Sequence, residues 1–124
     1  HIRREKANSN ICSNQSLMAL WVTIYMSVMG NKGLNEACSL SYSGAHYLAQ
    51  QLVATGKCTM AYDKPFFNEF AVKTTVPAQQ VLEALLANGI LGGVRIADDT
   101  LLVCVTEQRS KAEMDKFVEI VSNI

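Results

Sequence analysis

Residues 17–29 are apolar on nearly every side of a helix, and this one stretch limits the available folds more than any other. Leu17, Leu20, Trp21, Ile24, Tyr25 and Val28 keep the i, i+3, i+4, i+7 spacing of one helical face, while Met18, Val22, Met26 and Met29 fill much of the remainder. A helix of this kind expects to be buried all round. Four such side chains left in water forfeit roughly 1.5–3 kcal/mol each, a sum of ~6–12 kcal/mol that rivals the stability of a whole domain. A chain of 124 residues forms one domain and buries only about 65% of its unfolded surface. Cover from outside the chain is therefore expected. Thr23 and Ser27 interrupt the run, which falls short of the ~18–20 residues a membrane span requires, so a soluble chain is predicted.

Gly30 and Asn31 stop this helix, whose start is expected near residues 9–13. A second helix is predicted from Gly33 to Thr55, with Leu34, Ala37, Cys38, Ser41, Ala45, Leu48 and Leu52 on one face and Gly56 as its stop. Gly44 in its middle suggests a bend or a close contact. Two strands follow at residues 58–62 and 67–74, joined through Asp63-Lys64-Pro65, and the second points Phe70 and Val72 inward with Ala71 and Lys73 outward. A third helix has Pro77 in its first turn and runs to Asn88, with Val81, Leu82, Leu85 and Leu86 inward. Gly92-Gly93 marks a tight loop or a short edge segment. Residues 101–106 read as a strand covered on both faces or central in its sheet. Ser110-Lys111-Ala112-Glu113 is a capping box opening a final helix with Met114, Phe117, Val118 and Val121 inward. The order α-α-β-β-α-β-α predicts an α+β domain over residues 1–124, helical over 1–56 and ββαβα over 57–124, with helices on a small, mainly antiparallel sheet.

Eleven cations balance eleven anions, which removes any general electrostatic case for nucleic acid or an acidic membrane as partner. Cys12, Cys38, Cys58 and Cys104 are widely spaced, without a CxxC or a histidine at ligand spacing, so no metal site is predicted. Cys38 and Cys104 fall on apolar positions and are expected to behave as small hydrophobes in a reducing compartment. No leader is evident, and a first residue other than Met suggests a piece of a longer chain.

Catalytic hardware is thin. His46 is one of two histidines and has no serine, cysteine or carboxylate placed beside it in sequence. The glycines match no phosphate-binding loop. Pro65-Phe66-Phe67-Asn68-Glu69-Phe70 suits either a binding surface or a core anchor at the start of a strand, and Glu107 either an ion-pair or backbone-binding group or a site residue. The segment His1 to Gln15 is different: Arg3, Arg4 and Lys6 with a histidine, an acid, three Asn, a Gln, two Ser and a Cys stand directly ahead of an apolar helix. Free backbone N–H groups at such a helix start favour anions.

That segment, His1-Ile2-Arg3-Arg4-Glu5-Lys6-Ala7 followed by Ser9-Asn10-Ile11-Cys12 and Asn14-Gln15, resembles the glycine cleavage system P-protein family, specifically subunit 1 of the two-subunit glycine dehydrogenase (decarboxylating). The resemblance continues at Ala45-His46-Tyr47-Leu48-Ala49, through residues 65–70, at Gly89-Ile90-Leu91-Gly92-Gly93, and at residues 101–107. Asn8 and Ser13 stand where the family has Thr; Ser13 keeps the hydroxyl and Asn8 does not.

The resemblance implies the C-terminal small domain of a fold-type I pyridoxal-phosphate enzyme, related in architecture to aspartate aminotransferase. The family decarboxylates glycine and passes the aminomethyl group to the lipoyl arm of the H-protein, as a cytoplasmic heterotetramer. Its pyridoxal phosphate sits on a lysine that follows a histidine in the other subunit, subunit 2. None of the seven lysines here follows a histidine, so neither a catalytic residue nor a cofactor residue is inherited. Arg4, Lys6, Ser9, Asn10 and Asn14 are the candidates for shaping the subunit junction at the edge of the cleft. Two other readings remain: the small domain of a different fold-type I enzyme, and a freestanding α+β interaction module.

Overall fold

Gly30 divides what would otherwise be one long helix. The structure, a computed structural model, describes residues 15–124. Its elements are α1 (Gln15–Ala54), β1 (Cys58–Met60), β2 (Glu69–Thr74), α2 (Ala78–Ala87), β3 (Val94–Ala97), β4 (Thr100–Cys104) and α3 (Lys111–Ser122). Within α1 the backbone at Gly30 leaves the helical region, with φ 60° and ψ −177°, so the two predicted helices meet there. Contacts divide the chain between Asn35 and Glu36 into two units.

In the first unit, the polar interruptions of the apolar helix fold back on their own backbone. Thr23 Oγ1 donates to the Ala19 carbonyl at 2.8 Å and Ser27 Oγ to the Thr23 carbonyl at 2.7 Å. The apolar side chains remain uncovered, from 46% exposed at Tyr25 to 79% at Val28. The burial that their pattern demands is not supplied by the described residues of this unit.

The second unit carries the core. Its sheet has the order β1-β2-β4-β3 with every neighbouring pair antiparallel. Phe70 pairs with Val103 and Val72 with Leu101, so these four share one face. Against that face pack Ala45, Leu48 and Leu52 of α1, Val81 and Leu85 of α2, and Met114, Phe117 and Val121 of α3. The predicted α+β class is therefore observed, with β4 central as expected.

Several expectations are corrected. The order contains a further strand, β3, whose four residues are all exposed. It is an edge strand without an inward apolar alternation, so the Gly92-Gly93 pair introduces an edge segment. Ala71 is buried, not outward to solvent; it pairs with Leu102, and its single methyl is too short to emerge between neighbours. Leu86 is 60% exposed, because Val81 and Leu85 take the core stripe of α2. Cys38 and Cys104 are exposed, whereas Cys58 is buried. On α1 burial begins only at Ser41, beyond Cys38. Cys104 pairs with Glu69 on the sheet face turned away from the helices.

At Gly44 the close contact is real: a Cβ there would stand 3.0 Å from Val105 Cγ1 and 3.6 Å from Met114 Sδ. The absent side chain lets α1 approach the end of β4.

The capping box forms as predicted. Ser110 Oγ accepts the Glu113 N–H at 3.3 Å, and Glu113 Oε2 accepts the Ser110 N–H at 2.7 Å. Ser110→Ala is expected to cost about 1 kcal/mol, read as a lower urea midpoint with unchanged slope. The Ser110 N–H and hydroxyl hold the Glu113 carboxyl below its ordinary range. A carboxyl whose pKa is depressed by folding stabilises fully above its unfolded pKa and loses that contribution as pH falls through the folded one. The acid-side loss below about pH 4 should therefore be shallower in Ser110→Ala than in the parent chain, and parallel acid titrations would refute this linkage.

Candidate functional site

Four segments far apart in sequence meet at the end of the sheet where β2 begins and β4 ends. Residues 65–70 and 101–107 adjoin there through the Glu69–Cys104 pair, and the Val105 N–H donates to the Asn68 carbonyl at 3.0 Å. Asn68 Nδ2 approaches Cys104 Sγ at 3.5 Å. Residues 45–49 of α1 join through aromatic contacts, and residues 89–93 line a cavity of about 530 Å³ shared with Leu48, Cys104 and Val105.

His46 is the centre of the aromatic group. Its ring stacks on Phe66 with centroids 4.1 Å apart and planes 8° from parallel, and Tyr42 stands 4.1 Å from it. Nε2 lies 3.2 Å from the Phe66 carbonyl. A carbonyl only accepts, so Nε2 carries the proton in this contact. Phe66 in turn meets Phe70, 5.3 Å away and 3% exposed. His46 is thus a clamp holding the loop before β2 onto α1. Of the two roles open to residues 65–70, Phe66 and Phe70 take the anchoring one. Phe67 remains 50% exposed.

Tyr47 points to a second junction. Its hydroxyl donates to Asp115 Oδ1, and Lys111 Nζ lies 2.6 Å from Asp115 Oδ2 and 4.9 Å from the tyrosine ring centroid. Lys111 and then Tyr47 pull the Asp115 carboxyl below its usual range, and Asp115 raises the Lys111 ammonium. This group ties α1 to α3.

Cations at the cavity are already engaged. Arg109 Nη1 pairs with Glu113 Oε1 at 3.2 Å, and Lys116 Nζ donates to the Asn88 carbonyl at 3.0 Å. Burial pushes the Cys104 thiol up, with Glu69 adding to the shift, and burial likewise raises Cys58. Both stay protonated and poorly nucleophilic at neutral pH. Glu107 accepts from the Gln108 side chain at 3.0 Å, which lowers its exposed carboxyl. That is a local hydrogen bond between chain neighbours. Among the described residues no group of three or more His, Cys, Asp or Glu could hold a metal.

The sequence candidates Arg4, Lys6, Ser9, Asn10 and Asn14, and Cys12 with them, lie outside the described residues. Sequence reasoning missed the pairing of His46 with Phe66, which joins residues twenty apart.

Three helices on one face of a four-stranded antiparallel sheet, with motif residues spent on internal tethers, define a two-layer α+β domain. The family model described as glycine cleavage system P-protein matches residues 1–121. The chain belongs to the glycine cleavage system P-protein family. It is 48% identical to the probable glycine dehydrogenase (decarboxylating) subunit 1 of Chloroherpeton thalassium, matching 100% of this chain and 29% of that relative. It is 43% identical to the protein of the same description from Thermomicrobium roseum, over 96% of this chain and 28% of the relative. A crystal structure of glycine decarboxylase (P-protein) of the glycine cleavage system, in inhibitor-bound form, matches with a TM-score of 0.85 and 30% identity, covering 97% of this chain and 28% of that one. The chain thus spans under a third of the length of these relatives.

Pyridoxal phosphate requires an amine poised for Schiff-base formation in a site that shelters it. Among the described lysines, Lys57 is half-buried and Lys32, Lys64, Lys73, Lys111 and Lys116 are exposed. Lys116, which does line the cavity, is held by a backbone carbonyl. The described residues do not fit the cofactor's anchoring site.

Proposed function

We propose that this chain is the C-terminal small domain of subunit 1 of glycine dehydrogenase (decarboxylating), with a structural role at the subunit interface and no activity alone. The complete enzyme is a fold-type I pyridoxal-phosphate enzyme of the cytoplasm, assembled as a heterotetramer. It decarboxylates glycine and passes the aminomethyl group to the lipoyl arm of the H-protein. The cofactor is attached to subunit 2. One observation carries the interface role: an apolar helix whose large side chains are exposed from 46% at Tyr25 to 79% at Val28, in a chain matched from end to end by a relative of which it spans 29%. No helix among the described residues is long and apolar enough to cross a membrane. The polar segment ahead of this helix then belongs to the subunit junction, where Arg4, Lys6, Ser9, Asn10 and Asn14 act by hydrogen bonding.

The test is co-purification of the complete subunit with subunit 2, read by cofactor absorbance and glycine–bicarbonate exchange. Cofactor and exchange are expected only in the paired sample. Cofactor on the complete subunit alone identifies a different fold-type I enzyme; neither signal leaves an interaction module. In the same pair, Asn10→Ala should weaken assembly or exchange, and wild-type values for both would refute the junction role of Asn10.

A further inference from the structure

We infer that Asn88-Gly89 is a latent modification site, at which Asn88 converts to aspartate or isoaspartate only when the C-terminal cap of α2 opens. Such a site is independent of the glycine chemistry proposed above.

Asn88 is the only asparagine of the chain followed by glycine. A glycine amide nitrogen has no side chain beside it to block its approach to a carbonyl. Gly89 N attacks Asn88 Cγ, and the new N–C bond closes a five-membered imide. The side-chain nitrogen leaves as ammonia with the proton from Gly89. Water then opens the imide at one carbonyl to give aspartate, or at the other to give isoaspartate. Nothing is oxidised or reduced, and water is the only co-reactant.

The fold holds these reacting groups apart. α2 ends in a Schellman motif: the Gly89 N–H donates to the Leu86 carbonyl at 2.9 Å and the Ile90 N–H to the Leu85 carbonyl at 2.9 Å. The nucleophilic nitrogen is thereby engaged. Asn88 Nδ2 donates to the Ala84 carbonyl at 2.9 Å, which directs the side chain back along the helix. Ring closure needs Gly89 N nearly coplanar with Asn88 Cβ, but with Asn88 at ψ 11° it lies nearly coplanar with the Asn88 nitrogen instead. Lys116 Nζ of α3 holds the Asn88 carbonyl at 3.0 Å, and Ile90 packs on the core that contains Leu85. Gly89 itself serves the cap through its φ of 77°, since a Cβ there would meet nothing within 4 Å. The reactive pair is a by-product of the way α2 ends.

Either product undoes the cap that delayed it. Aspartate has no N–H for the Ala84 carbonyl and sets a negative charge at the negative end of α2. Isoaspartate lengthens the main chain by a methylene, so the Gly89 and Ile90 N–H groups lose their register. Asn88, Gly89 and Ile90 all line the cavity beside β4, which is where the damage falls.

The experiment ages the complete subunit beside a peptide of residues 84–93 in mildly alkaline buffer, with aspartate and isoaspartate at position 88 read by peptide mapping. Conversion in the folded subunit should be roughly tenfold slower or more, as a cap-opening cost of about 1.4 kcal/mol imposes. Lys116→Ala removes the tether and should speed conversion about threefold or more, with amide exchange at Gly89 and Ile90 rising by the same factor. Low urea gives a second reading on the parent subunit itself, should that variant not fold. A local opening exposes little surface, so the conversion rate should hardly change. Equal rates in peptide and subunit overturn the inference, as does a peptide that does not convert. Parent-like conversion in a folded Lys116→Ala subunit overturns it too, and so does a rate that climbs with the full unfolding slope in urea.

Discussion

Phe70→Ala is expected to lower the unfolding free energy by about 3–5 kcal/mol, the usual range for emptying a buried phenylalanine site. Phe70 is 3% exposed on β2, one of the two inner strands, and it pairs with Val103 while its ring meets Phe66 at 5.3 Å. Two losses combine. The ring's volume cannot be refilled by neighbours held on the β2–β4 ladder, and the Phe66 ring loses an aromatic contact worth ~0.5–1.5 kcal/mol. Because Phe66 also holds His46, the loop before β2 should loosen with it. Denaturant titration should show a lower midpoint at an unchanged slope. Leu86→Ala, at a side chain 60% exposed, serves as the control and should change stability by no more than about 0.5 kcal/mol. A Phe70→Ala loss below 1 kcal/mol would contradict the assignment of Phe70 to the core.

Gly93→Ala should be nearly as damaging through the backbone. Gly93 has φ 120°, and a Cβ there would lie 2.2 Å from the Leu102 carbonyl oxygen and 3.2 Å from its carbon. Both obstacles are main-chain atoms of β4, which is paired on both sides. They cannot turn aside as a flexible side chain would. Backbone strain and forced overpacking each cost ~1–3 kcal/mol, so a combined loss of about 3 kcal/mol or more is expected. The strand β3 should peel first, and amide exchange at Val94–Ala97 reads that directly. Unchanged protection at those amides together with unchanged stability would show that the close approach is not present in solution.

The fold was legible where period and punctuation agree. The break at Gly30, the core stripe from Ala45 to Leu52, the capping box at Ser110 and the central position of residues 101–104 are all written in local pattern. β3 was not, because an edge strand with four exposed residues has no inward alternation to display. Ala71 and Leu86 misled for a related reason: hydrophobicity says how readily a side chain buries, while exposure depends on its length and on which neighbours reach the core first. Cys38 and Cys104 repeat that lesson with sulfur. The contact between His46 and the Phe66 carbonyl joins residues twenty apart, and no period within one element encodes it. The cluster of motif segments at the sheet end was readable only as a resemblance; their meeting is a property of the β2–β4 pairing.

That same pairing governs how the sheet must assemble. β2 is hydrogen-bonded to β4 across an intervening helix and strand, whereas β3 and β4 form a local hairpin turning at Asp98-Asp99. During synthesis, Phe70 and Val72 leave the ribosome well before Leu101 and Val103 exist to receive them. At about 5–20 residues per second the roughly thirty intervening residues take seconds, long compared with the microseconds in which a hairpin closes. For that interval one edge of β2 stands open. The chain's vulnerable moment is therefore set by translation, and slowing the ribosome between the β2 and β4 codons should raise misfolding more than slowing it anywhere after β4.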